Sequence, residues 1–411
     1  MKPAVVYISY DGMLEPLGQS QVLAYLEHLR RGYDVHLISF EKKNDWRDKV
    51  RMAAMKERTA ASGIAWYPQA YHKYPSAPAT AFDIFMGTMV AIWLVVRHRA
   101  LLVHVRSYVP AAMGLVATKV TGAKFLFDIR GFWADERVDG GLWKRDSALY
   151  RVTKRLERHF FRSADHIVAL TDASKREIEN FAFMSGRHPA ISVIPTCADL
   201  DRFRRTKPKE AGSFVLGYVG SVGTWYLFDE VVACFKLILE RHKDAKLLVV
   251  NRNEHDLIRR TVIAGGVDLG RLELVSAEHA QVPQFIERMD AGIAIIKPVY
   301  SKIASAPTKL AEYLGCGVPC LGNTNVGDMA QILESRQVGV AVDAFTDSGR
   351  RNAVERLFDL IADPKTPSRC EATARELFSL ESGVARYRSI YERLTAPQRS
   401  EKARMAEMAE E

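Results

Sequence analysis

The sequence predicts an α/β chain of two Rossmann-like, doubly wound parallel-sheet domains facing a central cleft, and three observations carry that expectation. Short β-branched runs alternate with helical patterns along the first half, and the runs are apolar throughout, as strands covered on both faces must be. The same alternation restarts at Ser213, after the charged, proline-containing stretch DLDRFRRTKPKEAG at 199–212. At about 150 residues per domain, a chain of 411 residues suits two or three, and two is the starting number.

The opening run at 5–9 reads as a strand. It leads to a helix in which Val22, Tyr25, Leu26 and Leu29 recur at one face of a 3.6-residue period before Gly32 ends it. Further strands are expected at 34–40, 101–107, 124–129, 166–170 and 191–195. After the linker they are expected at 214–219, 246–250, 272–275, 292–296, 318–321 and 338–342. From Pro364 the pattern is helical, and 380–394 suits a helix returning to the first domain. The expected boundaries are therefore 1–198, a linker at 199–212, 213–378, a crossing helix at 379–395 and a charged tail at 396–411.

Charge and cysteine usage narrow the chemistry. Lysine and arginine total 58 against 49 acidic residues, a formal charge of +9, which favours anionic partners. Five cysteines without a C-x-x-C pair suit neither a disulfide framework nor a zinc site, so a reducing cytoplasm is expected. The N-terminus enters a strand directly, with no secretory pattern. The most apolar stretch, 81–96, is interrupted by Asp83 and ended by Arg97-His98-Arg99, so we reject a transmembrane span. A buried helix over a sheet and a segment docked on a membrane surface both fit it, the second helped by its flanking cations. Residues 144–162 add many cations on another helical pattern, which also suits a plainly solvated face.

Ligands of open α/β sheets bind beyond the carboxyl ends of strands, and four such junctions stand out. In Ser9 to Gln21, Gly18 would let backbone approach a ligand at a helix start, beside Gln19. No G-x-G-x-x-G occurs there, which weakens a dinucleotide oxidoreductase reading. In Gly217 to Tyr226, Gly220, Ser221, Gly223 and Thr224 would cradle a diphosphate with helix amides. In Ser305 to Pro319, Ser305 can cap and Pro307 suits a first helical turn next to Thr308. Lys309 and Glu312 then share one face, as a cation for diphosphate and a carboxylate for ribose hydroxyls. In Phe127 to Arg137, charges and aromatics crowd a strand end and suit an acceptor site, although Asp128 also fits a structural carboxylate.

Together SYDGMLEPLGQSQVLAYL, FDIRGFWADERVDGGLW, VIPTCADLDRF, GYVGSVGTWY and PTKLAEYLGCGVPCLGNTNVGD resemble the retaining sugar-nucleotide glycosyltransferases of family 4, over nearly the whole chain. The resemblance implies the GT-B fold, with the donor held mainly by the second domain and the acceptor by the first. It implies a ribose contact for Glu312, the second of the family's two glutamates separated by seven intervening residues. The first falls on Ala304, and the family's Arg and Lys are missing from 220–226. Lys309, helped by Arg130 or Arg252, is expected to compensate. The resemblance further implies front-face substitution, in which the leaving diphosphate takes the acceptor's proton while cations stabilise it.

On this reading Lys309, Glu312, Asp128 and Arg130 are the catalytic candidates. Gly18, Gln19, Gly220, Ser221, Gly223, Thr224, Arg252, Ser305, Pro307 and Thr308 join Lys309 and Glu312 as donor contacts. Asp11, Arg106, Trp133, Asp135 and Glu136 are the acceptor contacts. No cofactor is expected beyond a UDP- or GDP-linked sugar as co-substrate, and no essential metal, since Asp199-Leu200-Asp201 lies in the linker. The expected activity is transfer of a hexose or N-acetylhexosamine to a polysaccharide, lipopolysaccharide or lipid-linked acceptor. The expected place is the cytoplasm, at the inner face of the plasma membrane. A sugar-nucleotide 2-epimerase and a noncatalytic sugar-binding protein are the rivals. No nucleic-acid motif accompanies the charge.

Overall fold

A computed structural model describes residues 2–186, 189–207 and 212–396. The charged tail from 397 and the linker's 208–211 lie outside the described residues. In the first lobe β1 (Ala4–Ser9), β2 (Asp34–Glu41), β3 (Ile64–Ala70), β4 (Leu102–Arg106), β5 (Lys124–Asp128), β6 (His166–Ala169) and β7 (Ala190–Val193) form one sheet in the order β3-β2-β1-β4-β5-β6-β7. In the second, β8 (Val215–Val219), β9 (Lys246–Val250), β10 (Leu272–Val275), β11 (Ala291–Ile293), β12 (Cys320–Asn323) and β13 (Gly339–Val342) run β10-β9-β8-β11-β12-β13. Every pairing is parallel. The strand order reverses beside β1 and beside β8, which opens a crevice at the carboxyl end of each sheet.

Strand β3 is absent from the sequence reading. Its Pro68 argues against a strand, yet β3 pairs only with β2 and so sits at an edge, where a missing N–H costs no ladder bond. The other strands fall where apolar runs were read, with ends shifted by a few residues, as at β11 and β12. Helical residues Val22, Tyr25, Leu26 and Leu29 are all buried, as their period requires.

Each sheet is covered on both faces by a separate apolar cluster. The helix Leu380–Thr395 supplies Leu380, Val384, Tyr387, Ile390 and Tyr391 to the first lobe's core, so the chain's end returns to its start. The outgoing and returning passes meet: Leu380 N–H donates to the Ala198 carbonyl at 3.1 Å, and Ala198 N–H to that of Phe378 at 2.8 Å.

The apolar stretch lies in the helix Ser76–His98, the one helix among the described residues long and apolar enough to cross a bilayer. It instead lies along the first sheet, with Ala79, Gly87, Ala91, Leu94 and Val95 buried. Asp83, the interruption, is buried too, accepting from the Tyr10 hydroxyl at 2.7 Å and His72 N–H at 3.1 Å. The opposite side leaves Phe82, Phe85, Met86, Met89, Trp93 and Val96 exposed.

Candidate active site

A cavity of about 760 Å³ opens between the lobes at the carboxyl ends of β8 and β9. Its wall from the second lobe includes Gly220, Ser221, Asn251, Arg252, Glu254, His279, Thr308, Lys309 and Glu312, and the first lobe closes it with Pro16, Leu17 and Ser20. That size suits a drug-sized or nucleotide-sized ligand.

Lys309 and Glu312 extend from the helix Thr308–Gly315, one turn apart. Lys309 is 6% exposed, and its Nζ has no hydrogen-bond partner among the described residues. It rests over the rings of Tyr218 at 4.1 Å and Tyr226 at 3.9 Å. Burial pushes both phenols up, so they stay neutral and offer only ring faces to the cation. Burial also pulls the Lys309 amine down to about 7 against the upward pull of Glu312. Two ring faces replace little of an ammonium's hydration, so this amine is suited to an anion entering the cavity. Gly220 lies beside it, at a φ of 102° that favours glycine; a Cβ there would only touch the Lys309 Nζ, at 3.7 Å. Glu312 faces His279, whose Nε2 lies 3.1 Å from Oε1. Arg252 pairs with Glu278 at the rim.

Sequence reasoning missed Asn251, Glu254, His279 and the tyrosine pair. Asn251 Nδ2 donates to the Gly220 carbonyl and to Glu254 Oε2, each at 2.9 Å. Glu254 in turn accepts from the N–H groups of Val222 and Gly223 at 3.0 Å each. Burial would raise this carboxyl, but Asn251, Ser221 and the two amides outweigh it and hold it below the ordinary range. The signal was available for Asn251 and Glu254, which follow a strand just as the chosen loops do. Tyr218 is buried in the second lobe's core, and Tyr226 packs against it half-buried.

Several expectations need correction. The amides of Val222 and Gly223 face Glu254 instead of an open cradle, because that carboxylate already satisfies them. Thr224, in the left-handed region at φ 52°, does not line the cavity. Gly18 and Gln19 do not line it either; a Cβ on Gly18 would meet the Gly12 carbonyl oxygen at 2.0 Å, so this glycine serves a backbone crossing. Pro307 precedes the helix as its N-cap, and the Ser305 side chain makes no cap bond. Ser305 and Pro307 line a separate interlobe cavity of about 260 Å³ with Asp172 and Asp328.

The expected acceptor cluster is largely occupied. Asp128 is fully buried, accepting from the Tyr387 hydroxyl at 2.8 Å. Burial would raise it, but Arg130, His104 and Arg106 hold it below the usual carboxylate range. It is therefore a structural anion beneath the returning helix, and its partner Arg130, which donates to Thr196 Oγ1 at 3.4 Å, also stays outside the cavity. Arg106 is buried against Asp11, with Nε 3.2 Å from Oδ2. Asp135 is buried, accepting from the Tyr150 hydroxyl at 2.8 Å and Lys154 Nζ at 2.9 Å. Trp133 stacks on Tyr108, 6.0 Å between centroids. Glu136 accepts from Lys302 Nζ of the other lobe at 2.8 Å.

That last contact belongs to a clamp. The segment Tyr300–Ala304 docks on the first lobe: Tyr300 donates to Glu177 at 2.7 Å, Ser301 N–H to Asp139 at 2.9 Å, and the Ile303 carbonyl accepts from Thr171 Oγ1 at 2.7 Å. Nearby, Asp328 accepts from the N–H groups of Asp172 at 2.6 Å and Ala173 at 2.9 Å, capping a first-lobe helix from across the interface. Ala304 is buried in the first lobe's core. A glutamate at 304 would place a carboxylate in that apolar packing, which accounts physically for the alanine.

Comparisons with known proteins agree with this architecture. The family model described as Glycosyltransferase Family 4 matches residues 20–202. No curated protein matches the chain by sequence. Among solved structures, a glycosyltransferase from Rickettsia africae ESF-5 aligns at a TM-score of 0.71 and 14% identity, over 97% of this chain and 100% of that one. Sucrose-phosphate synthase from Thermosynechococcus elongatus aligns at 0.75 and 14% identity, over 96% and 100%. Anabaena HepE, solved with UDP and glucose, aligns at 0.67 and 13% identity, over 95% and 99%. The two parallel-sheet lobes are arranged as in the GT-B fold, and over residues 20–202 the chain is similar to glycosyltransferase family 4.

Proposed function

We propose that the chain moves a hexose or N-acetylhexosamine, with retained anomeric configuration and without a divalent metal, from a UDP- or GDP-linked donor to a glycan or lipid-linked acceptor at the cytoplasmic membrane face. One observation carries the donor assignment: the Lys309 amine, buried without a hydrogen-bond partner in the interlobe cavity. A diphosphate there would supply the missing charge-assisted bonds, and Lys309 would stabilise the leaving group as its bond to the sugar breaks. Glu312 and His279 would take the ribose side, and Arg252 the rim. The UDP and glucose found with Anabaena HepE support a nucleotide-sugar class of ligand.

The acceptor's membrane side rests on a surface. The exposed apolar stripe of Ser76–His98 is continued by Val116 and Val120 on the neighbouring helix Tyr108–Thr121, and by Leu149, Val152 and Leu156 on Ala148–Ser163. Arg97, Arg99, Lys119, Arg151, Arg155 and Arg158, on or at the ends of the same three helices, are exposed as well. An apolar stripe among cations suits an anionic bilayer interface.

Binding and turnover measured across UDP- and GDP-sugars would test the donor reading. We expect one donor to bind and to be transferred, with turnover surviving chelator; product formed without any acceptor would favour the epimerase instead. Sedimentation with anionic vesicles is expected to carry the protein down, and Phe85→Glu with Trp93→Glu to leave it in solution. Equal recovery with neutral and anionic vesicles would remove the membrane part.

A further inference from the structure

At the opposite end of the first sheet from the cavity, two histidines and a carboxylate converge. Asp34 and His36 lie two residues apart on β2, so their side chains share one face of the strand. His98 approaches them as the last residue of Ser76–His98. One ligand atom from each lies within 4.8 Å of the others. His36 Nε2 is 3.3 Å from Asp34 Oδ2, and the two imidazole centroids are 3.8 Å apart with planes tilted by 34°.

We propose that Asp34, His36 and His98 bind a divalent transition-metal ion of the zinc class, with solvent completing its coordination. Zinc bonds of about 2.0–2.2 Å to nitrogen and oxygen place tetrahedral ligand atoms roughly 3.3–3.6 Å apart, so rotations of about an ångström close the triad on an ion. Two imidazoles and one carboxylate are donors that such ions favour over magnesium or calcium.

The surroundings prepare the ligands. Without an ion the Asp34 carboxylate accepts from His36 Nε2, and the Tyr67 hydroxyl, 3.5 Å from His36 Nδ1, is placed to accept the ring proton there once Nε2 is given to a metal. His98 makes ring contacts with His36 and Trp93 and no side-chain hydrogen bond among the described residues. Its position at a helix C-terminus, where carbonyls concentrate negative charge, favours a cation. The ion would tie the apolar helix to β2 far from the donor cavity, so the site is independent of the transferase reading.

The test titrates the full chain, stripped with chelator and desalted, with Co²⁺ as a spectroscopic probe and then Zn²⁺. We expect one equivalent of Co²⁺ with visible absorption typical of low coordination number, its displacement by Zn²⁺, and a rise in melting temperature with Zn²⁺. His98→Ala and Asp34→Asn, which alter partly exposed side chains, should each weaken Co²⁺ binding by at least about tenfold and remove the thermal shift. Their melting in chelator should match the parent's. A parent that takes up no stoichiometric Co²⁺, or variants that bind it as the parent does, would overturn the proposal.

Discussion

Lys309 and Asp128 are both buried charged residues near the carboxyl ends of parallel strands, yet their surroundings differ in kind. Around Asp128 the protein supplies its own compensation: Arg130, Arg106, His104 and the Tyr387 hydroxyl, sealed by the returning helix. Around Lys309 there are two aromatic faces, a glycine loop and an open cavity. A buried charge answered from within holds lobes and helices together. One left unanswered beside a cavity is poised for a ligand.

The largest effect that sharpens this contrast is expected from Lys309→Met. Transfer should fall by about a hundredfold or more, as for loss of a preorganised cation at a developing anion. The same change should raise the melting temperature by about a few degrees at neutral pH, because it removes an amine that folding buries. The sign follows from linkage: with the folded amine at about 7 and an ordinary value of 10.5, the unfolded chain binds more protons between them, so this group's contribution to stability improves as pH rises through that window. Unchanged transfer in the variant would break the contrast at its centre.

Asp128→Asn should act on the fold instead, lowering unfolding free energy by about 3 kcal/mol because Arg130 loses its carboxylate and Arg106 keeps only Asp11. Denaturant titration reads that loss, and donor affinity measured by calorimetry should stay at the parent's value. A smaller effect concerns pH. Donor affinity should hold below pH 7 and weaken by up to about tenfold per unit above it, since the diphosphate pairs with the ammonium form. Lys309→Met should flatten that profile. Smallest is Lys302→Met in the interlobe clamp, expected to cost about 1 kcal/mol and to leave the binding profile in place.

The fold was legible because its signals are local. Apolar strand runs and the period of Val22, Tyr25, Leu26 and Leu29 need no distant partner to be read. The spacing of Lys309 and Glu312 on one helical face was legible for the same reason. The internal partners of Glu136, Asp135 and Asp128 were not legible, because a charged residue after a strand looks the same whether it meets a ligand or another side chain. Glu254 follows a strand, so its place was legible, but its role was not, because that depends on two amides 31 and 32 residues away in sequence.

By itself, then, the sequence determined the alternating elements, the doubly wound sheets and the turn that carries Lys309, since hydrophobic period and residue geometry act over a few positions. Only the tertiary structure decided which charges are spent on internal partners, that Tyr300–Ala304 clamps the lobes, and that His98 reaches Asp34 and His36. Those outcomes depend on which desolvated groups meet across elements far apart in the chain, and no local pattern encodes that.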